Sequence, residues 1–295
     1  MSDLKTVIFV DGQNLRKNLQ AFAFHSDPPH PSGRSFKLDE KHFFWGAFFQ
    51  DVVRKFNSAT GFTHRLVRVY WYNAADITPF RVYPRLIQGV LEKHGAQFPE
   101  LSGELVEKLA REWYDQQRKN FQKAKDDVYE EIQRRTDFLE FKYVGQYVVH
   151  PFTVYRIERD EQEQIRYMGK RVGERGVDLG IAIDMIAKMP YYDAAVLVSG
   201  DADFLPAVRY LKDGLKQVYQ FSVAQGLPPQ IRYLSPWLKG VADVFGYFDE
   251  RELLELYVNR SAVPIPIARA IDDRIESLKK GAPARPEAFY GAGSQ

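Results

Sequence analysis

The chain has 295 residues, 45% of them hydrophobic, so it can bury a large core and is not a disordered protein. Its formal net charge is only +2, which neither requires nor excludes a polyanionic partner, so any nucleic-acid-binding surface must be local. The absence of cysteine excludes disulfides, thiolate nucleophiles and cysteine-ligated zinc. No apolar stretch approaches the length of a membrane span, so we expect a cytoplasmic protein without membrane contact.

The first half of the chain predicts strands that alternate with helices. The β-branched run TVIFV (6–10) predicts a buried strand that stops at the turn DGQN, and a helix follows over 15–24. Residues 25–37 are rich in Pro, Gly and Ser and predict a loop. The elements predicted next are a helix over 38–57, a strand over 64–74 and a helix over 79–95.

The middle of the chain is highly charged and keeps only a partial apolar stripe. From Glu104 to Asp137 this pattern predicts an inserted helical hairpin whose polar face is solvated. Two strand-like segments follow at 140–158 and 164–172, and we expect one of them to be a core strand extended into a hairpin. The remaining predictions are a helix over 176–189, a strand over 193–204, a helix over 206–215, a strand over 216–223, and a segment over 231–249 that is helical and then extended.

This alternation predicts an α/β fold with a mainly parallel sheet covered by helices on both faces. A helical segment near 250–258 and the residues after it would form a C-terminal extension, and the tail from Ala282 has the composition of a frayed terminus. We therefore predict one domain over 1–250, with the insertion at about 104–137, and a helical extension with a flexible tail over 251–295.

Aspartates follow two of the predicted strands at the points where those strands end. Asp11 follows the first strand, and Asp201 and Asp203 lie in LVSGDADF (197–204). Because ligands bind beyond the carboxyl ends of parallel strands, we expect these side chains to face one crevice, which Asp178 near a helix N-terminus can join. An all-oxygen acidic pocket suits Mg²⁺ or Mn²⁺ and could support phosphodiester hydrolysis. Helix capping and an Asx turn explain the same residues equally well, so spacing alone leaves both interpretations open.

Ordered motifs resemble one known family. VIFVDGQNL (7–15), ERGVDLGIAIDMI (174–186), AAVLVSGDADFLPAVRYLKDGLKQV (194–218) and LKGVADVFGYFD (238–249) are similar to segments of the NYN domain family, including bacterial LabA-like proteins, within the PIN-like nuclease superfamily. The resemblance covers about residues 5–250. It implies a PIN-like α/β fold in which a cluster of aspartates binds Mg²⁺ or Mn²⁺ and cleaves RNA.

The resemblance also implies roles for individual residues. It assigns metal binding and catalysis to Asp11, Asp178, Asp201 and Asp203, and it places Asn14 of the DGQN turn beside them in the catalytic set. Two supporting residues are predicted by position. Ser199 could orient Asp201 or a metal-bound water, although a serine at a strand end is often only a turn former, and Asp184 is either a supporting residue or a helix-packing contact.

Local positive charge would have to hold the substrate. Lys170, Arg171 and Arg175 precede Asp178, and Arg16 follows the DGQN turn, so these residues could bind phosphates. Arg175 stands where the resembling family usually has lysine. An ordinary solvated surface is the alternative for all four cations.

Aromatic residues make up 14% of the chain and could stack the bases of single-stranded RNA, but most are better explained as core residues, as with Phe43, Phe44, Phe48 and Phe49. The 104–137 insertion or the C-terminal extension could bind a protein partner or form a homo-oligomer.

The predicted function is therefore a divalent-metal ribonuclease acting on RNA, with single strands favoured. The alternative is a non-catalytic RNA-binding or regulatory module with a residual acidic pocket. A phosphatase of the haloacid dehalogenase kind would need a second acid where this chain has Gln13.

Overall fold

The computed structural model describes residues 3–25, 35–281 and 290–291. The predicted loop therefore falls partly outside the described residues, and so does most of the predicted tail. The described strands are β1 (Leu4–Asp11), β2 (Ala23–Phe24), β3 (Phe36–Lys37), β4 (His64–Asn73), β5 (Asp76–Ile77), β6 (Leu139–Tyr143), β7 (Gln146–Arg159), β8 (Ile165–Arg175), β9 (Ala194–Val198), β10 (Gln217–Val223), β11 (Val244–Phe248) and β12 (Tyr290–Gly291). The described α-helices are α1 (Gly12–Leu19), α2 (Trp45–Thr60), α3 (Pro84–His94), α4 (Gly103–Lys123), α5 (Glu130–Arg135), α6 (Val177–Ala187), α7 (Leu205–Asp213), α8 (Pro236–Val241), α9 (Glu250–Glu252) and α10 (Ile265–Gly281).

The chain forms two compact units. The first comprises Met1–Asn73, Tyr129–Lys142 and Asp178–Gln295, and the second comprises Ala74–Val128 and Tyr143–Val177. The first unit contains a sheet in the order β12-β11-β10-β9-β1-β4-β6. Neighbouring strands from β11 through β10, β9 and β1 to β4 all pair parallel, whereas β12 is antiparallel to β11. The predicted α/β fold with a mainly parallel sheet is confirmed.

The central strands are apolar on both faces because helices cover both sides of a parallel sheet. In β1 the side chains of Ile8, Phe9 and Val10 are completely buried, and every residue of β9 is buried. Helix α2 packs against β4 and β11 and adds an aromatic layer to this core. Of the phenylalanines predicted to be core residues, Phe43, Phe48 and Phe49 are buried.

Two predictions about α2 are wrong. Phe44 is half-exposed, because it is the residue that precedes the first turn of the helix. The helix also begins at Trp45 and not at 38, since Asp39 caps a separate 3₁₀ turn at Glu40–His42 before the chain enters α2.

Strand order positions the aspartates at one edge of the sheet. Strands β1 and β9 are parallel neighbours with Val10 opposite Val198, so Asp11 and Ser199 leave the sheet side by side. A helix that leads into a parallel strand runs back along the sheet, so α6 begins at the edge where β9 ends. This topology brings Asp178 in the first turn of α6 to the same edge.

The predicted helical hairpin over 104–137 is wrong. The segment is a single helical run in which α4 continues through a π-helical stretch at Ala124–Tyr129 into α5. Residues 104–135 contain neither Gly nor Pro, so nothing in this stretch reverses the chain. The helix pair in this part of the chain is instead α3 with α4, joined by residues 95–102.

The second unit has its own core. Its sheet has the order β5-β7-β8, with β7 and β8 forming an antiparallel hairpin, and α4 packs on that hairpin. The predicted core strand near 140 is β6, which joins the large sheet, whereas the hairpin is made by β7 and β8. Buried residues of the second unit's core are Ile77, Val90, Val106, Ala110, Trp113, Tyr114, Val149, Phe152 and Tyr167.

The predicted helical extension after residue 250 is present within the first unit. Helix α10 buries the apolar stripe formed by Ile267, Ile271, Ile275 and Leu278, whose spacing places them on one face. The short strand β12 lies in the segment predicted as a tail. No helix among the described residues is both long enough and apolar enough to cross a bilayer.

Candidate functional site

Asp11 links the ends of two neighbouring strands. One carboxylate oxygen caps α1 by accepting the backbone N–H of Asn14 at 2.9 Å, and the other accepts the Ser199 hydroxyl at 2.8 Å. Burial raises the pKa of Asp11, and these two hydrogen bonds only partly oppose that effect. The predicted capping role of Asp11 is therefore present, and it leaves lone pairs on both oxygens for another ligand.

The loop after β9 is held against α1 by side-chain hydrogen bonds. The Ser199 hydroxyl accepts the backbone N–H of Asp201 at 3.1 Å while it donates to Asp11. The Asn14 side-chain oxygen accepts the Gly200 N–H at 3.3 Å and a donor from Asn18 at 3.1 Å. Ser199 and Asn14 thus fix the position of Asp201 relative to Asp11.

Asp201 and Asp203 form the Asx turn that the spacing allowed. Asp201 caps the 3₁₀ turn Ala202–Phe204 by accepting the Asp203 N–H at 3.0 Å. Both side chains are exposed. The turn and a ligand role are compatible, because a capping carboxylate still presents its second oxygen to solvent.

The pKa of Asp178 is raised to about 6. Burial is the largest cause, and repulsion from Asp11, Asp201 and Asp203 acts in the same direction, whereas Lys17 opposes the rise. Four carboxylates with one nearby lysine leave this edge of the sheet with excess negative charge, which favours a bound cation.

The donor chemistry of this edge fits a hard divalent cation, because all its charged donors are carboxylate oxygens. Within residues 3–25, 35–281 and 290–291, however, no three His, Cys, Asp or Glu side chains are arranged to hold one metal ion. Mg²⁺ is commonly bound through one or two carboxylates and keeps several water ligands. The residues therefore fit a water-rich site better than a closed protein cage.

Two other predicted site residues bond to side chains outside the group of aspartates. Arg16 bonds to the buried Glu40 and to the Tyr129 hydroxyl, which gives its guanidinium a role in packing the first unit. Asp184 accepts the Tyr72 hydroxyl at 2.7 Å and pairs with Lys188 at 2.8 Å. Burial alone would raise the pKa of Asp184, but these two donors outweigh it and lower that pKa. Asp184 has the geometry of the predicted helix-packing contact, and phosphate binding by Arg16 stays a prediction.

The remaining predicted cations lie on β8 in the second unit. Lys170, Arg171 and Arg175 are exposed, with Lys170 opposite His150 and Arg171 opposite Val149 across the hairpin. Their binding of RNA phosphates stays a prediction.

Three residues that shape the site were not predicted from the sequence. A Cβ on Gly12 would overlap Asn73 and the Tyr72 carbonyl, and a Cβ on Gly200 would overlap the Tyr233 carbonyl oxygen. Gln220 is buried and donates to the Ser199 carbonyl at 2.9 Å. The two glycines beside the aspartates were the available signal, because glycine next to a functional residue often permits close backbone approach.

Comparison with known proteins identifies a family for this chain. A model of the NYN domain matches residues 5–235 and ends before the segment at 238–249. No curated protein matches the chain significantly. Among solved structures, the chain is similar to a protein of unknown function from Vibrio parahaemolyticus, with 17% identity, a TM-score of 0.35, and coverage of 84% of this chain and 93% of that one.

A mainly parallel sheet flanked by helices, with aspartates at the carboxyl ends of adjacent strands, is consistent with a PIN-like α/β domain. A single family model matches most of the chain, so the chain can be assigned to one family within this class. The chain belongs to the NYN domain family, which is part of the PIN-like nuclease superfamily, and the resemblance predicted from its motifs is confirmed.

Proposed function

We propose that this protein is a divalent-metal-dependent ribonuclease that cleaves single-stranded RNA in the cytoplasm. Asp11, Asp178, Asp201 and Asp203 would hold Mg²⁺ or Mn²⁺ at this edge, with one or two of their carboxylate oxygens as direct ligands and water as the others. A bound cation would supply an activated water and neutralise the charge that builds on the phosphate. The observation that carries the proposal is the arrangement of aspartates at one sheet edge, where Ser199 bonds both to the Asp11 carboxylate and to the backbone of Asp201. Burial, and then repulsion from the other three carboxylates, raises the pKa of Asp178 at this edge to about 6.

Each of these residues, together with Asn14 and Ser199, would have its own role in the site. Asp11 is buried and fixed by hydrogen bonds from Asn14 and Ser199, so it supplies a rigid negative charge at the base of the site. Asp201 and Asp203 are exposed and would face the substrate, with the Asp201 backbone held by Ser199. Asn14 restrains the loop through Gly200. Such restraint matters because catalytic groups must keep their geometry as charge develops.

The alternative is a non-catalytic RNA-binding module that retains the acidic edge. Its support is that no complete metal-binding group occurs among the described side chains. In that case Asp11 would be only a cap and strand link, and Asp201 only a turn residue.

The test is cleavage of labelled single-stranded RNA by the purified full chain. We expect cleavage with Mg²⁺ or Mn²⁺, none with chelator, and a loss of about a hundredfold or more in Asp201→Asn, which removes one negative ligand and keeps the side-chain size. Asp213→Asn is the matched control, since it neutralises another exposed aspartate, at the end of α7. RNA binding in chelator should be unchanged or tighter in Asp201→Asn, because a charge that repels phosphate is gone.

Two outcomes contradict the proposal. A wild-type protein that binds RNA but cleaves neither RNA nor DNA with either metal would support the binding module. Equal cleavage by the wild type and both variants would identify a contaminating nuclease.

A further inference from the structure

Residues 231–237, with the sequence IRYLSPW, lie directly against the loop that carries Asp201. The Ser235 N–H donates to the Gly200 carbonyl at 2.7 Å, and Gly200 leaves no room for a side chain beneath the Tyr233 carbonyl. The segment is therefore fixed beside the candidate site by backbone contact.

Helix α8 holds the other end of this segment. It packs against the turn Ala202–Phe204, which carries Asp203, and against α7. Lys212 of α7 donates to the Val241 carbonyl at 2.7 Å, at the end of α8. Both ends of the stretch that includes Tyr233 and Trp237 are thus tied to elements of the site.

This segment exposes two aromatic rings. Trp237 is 75% exposed and Tyr233 is 46% exposed, whereas the other three tryptophans are buried. In the described part of the chain neither ring packs against another aromatic ring, and the neighbouring Arg232 has no hydrogen bond or ion pair. Leu238, the next apolar residue of α8, is buried, and Ile231 and Leu234 are half-buried. The exposed side chains of this segment are those of Arg232, Tyr233, Pro236 and Trp237.

We propose that Arg232, Tyr233 and Trp237 form a stacking platform for an unpaired base of the RNA strand that the aspartates cleave. The platform rests on the proposed RNA substrate. The acidic edge repels phosphates, so attraction must come from groups beside it. Aromatic rings stack any base without adding charge near the cation, and Arg232 can pair with a phosphate or stack on a base. Bases in a duplex are already stacked, so the platform selects single strands.

The fluorescence of Trp237 can report base stacking, because Trp237 is exposed and the other three tryptophans are buried. With the full chain in chelator, we expect a single-stranded oligouridylate of about eight nucleotides to quench tryptophan fluorescence, and a duplex of equal length to quench it far less. Trp237→Phe should abolish the quenching while anisotropy of a labelled oligonucleotide shows that binding persists. Trp237→Ala should weaken binding about tenfold, within the range for loss of one stacked base.

Tyr191→Ala is the matched control, because Tyr191 is 74% exposed and precedes β9, at the sheet edge opposite the aspartates. It should bind RNA like the wild type. Equal weakening in Tyr191→Ala and Trp237→Ala would overturn the platform, and so would RNA binding without quenching. Emission that changes with protein concentration alone would also overturn it and indicate that a second copy covers the ring.

The experiments distinguish refutation of the stacking platform from refutation of the nuclease activity. Quenching without cleavage would leave the platform and refute the nuclease, and cleavage without quenching would do the reverse. A wild-type protein that binds no single-stranded RNA would refute both.

Discussion

Replacing Asp178 by Asn removes one member of a group of repelling carboxylates. A carboxyl whose pKa rises from 3.8 to about 6 destabilises the folded state by about 3 kcal/mol once the pH exceeds 6. Asp178 is only partly buried, so solvent screening reduces this to about 1.5 kcal/mol. Its charge in the first turn of α6 contributes about 0.5 kcal/mol of stability, which the variant also loses. The net expectation for Asp178→Asn is about 1 kcal/mol of added stability at pH 8.

The stability that Asp178→Asn gains over the wild type should increase with pH. Well below pH 3.8 the carboxyl is protonated in both the folded and the unfolded chain, so the variant gains little. Between pH 4 and pH 6 the unfolded chain releases this proton and the folded chain keeps it, so the stability of the wild type falls relative to the variant. Thermal unfolding in chelator should show a Tm advantage for Asp178→Asn of about 2–4 °C at pH 8 and a much smaller advantage at pH 4.

Asp184→Asn on the same helix is the control, and its expected effect on stability is the opposite of that of Asp178→Asn. Its carboxylate is stabilised by Lys188 and Tyr72, so the variant should be less stable than the wild type at pH 8. Adding Mg²⁺ or Mn²⁺ should raise the Tm of the wild type more than that of Asp178→Asn. If Asp178→Asn lowers the Tm at pH 8 as Asp184→Asn does, or if its effect is the same at both pH values, the electrostatic account is refuted.

Two further predictions concern the loop before Asp201 and the cations of β8. Gly200→Ala should cost about 1–3 kcal/mol in urea unfolding, because a Cβ would overlap the Tyr233 carbonyl, whereas Gly240→Ala in α8 meets no neighbour and should be neutral or slightly stabilising. Equal effects would show that the loop does not depend on this close approach. Lys170→Glu with Arg171→Glu should weaken single-stranded RNA binding and flatten its salt dependence, since fewer counterions would be released. An unchanged salt slope would remove β8 from the RNA footprint.

The placement of the aspartates could be predicted because it depends on local signals. An apolar run that stops at Asp11 and another that stops before Asp201 identify strand ends, and parallel strands bring such ends to one edge. The parallel pairing of the strands could also be predicted, since the alternation of strands and helices favours a mainly parallel sheet.

The parts that could not be predicted depend on contacts between distant segments. Arg16 bonds to Glu40 and Tyr129, which no local pattern pairs with it. The carbonyl of Tyr233, 33 positions along the chain, leaves no room for a side chain on Gly200. Neither turn chemistry nor hydrophobic periodicity predicts that contact. The 104–137 segment was misjudged because mixed charge was interpreted as a reversal, although no residue that ends a helix lies within 104–135.

Direct measurement of metal binding tests the central claim most closely. Electron paramagnetic resonance titration of Mn²⁺ into the wild type, Asp201→Asn and Asp184→Asn would count bound ions without reference to activity. We expect Mn²⁺ binding by the wild type and by Asp184→Asn, with affinity reduced in Asp201→Asn, because Asp184 bonds to Lys188 and Tyr72 while Asp201 belongs to the acidic edge. Absence of Mn²⁺ binding, or equal binding by all three proteins, would contradict it.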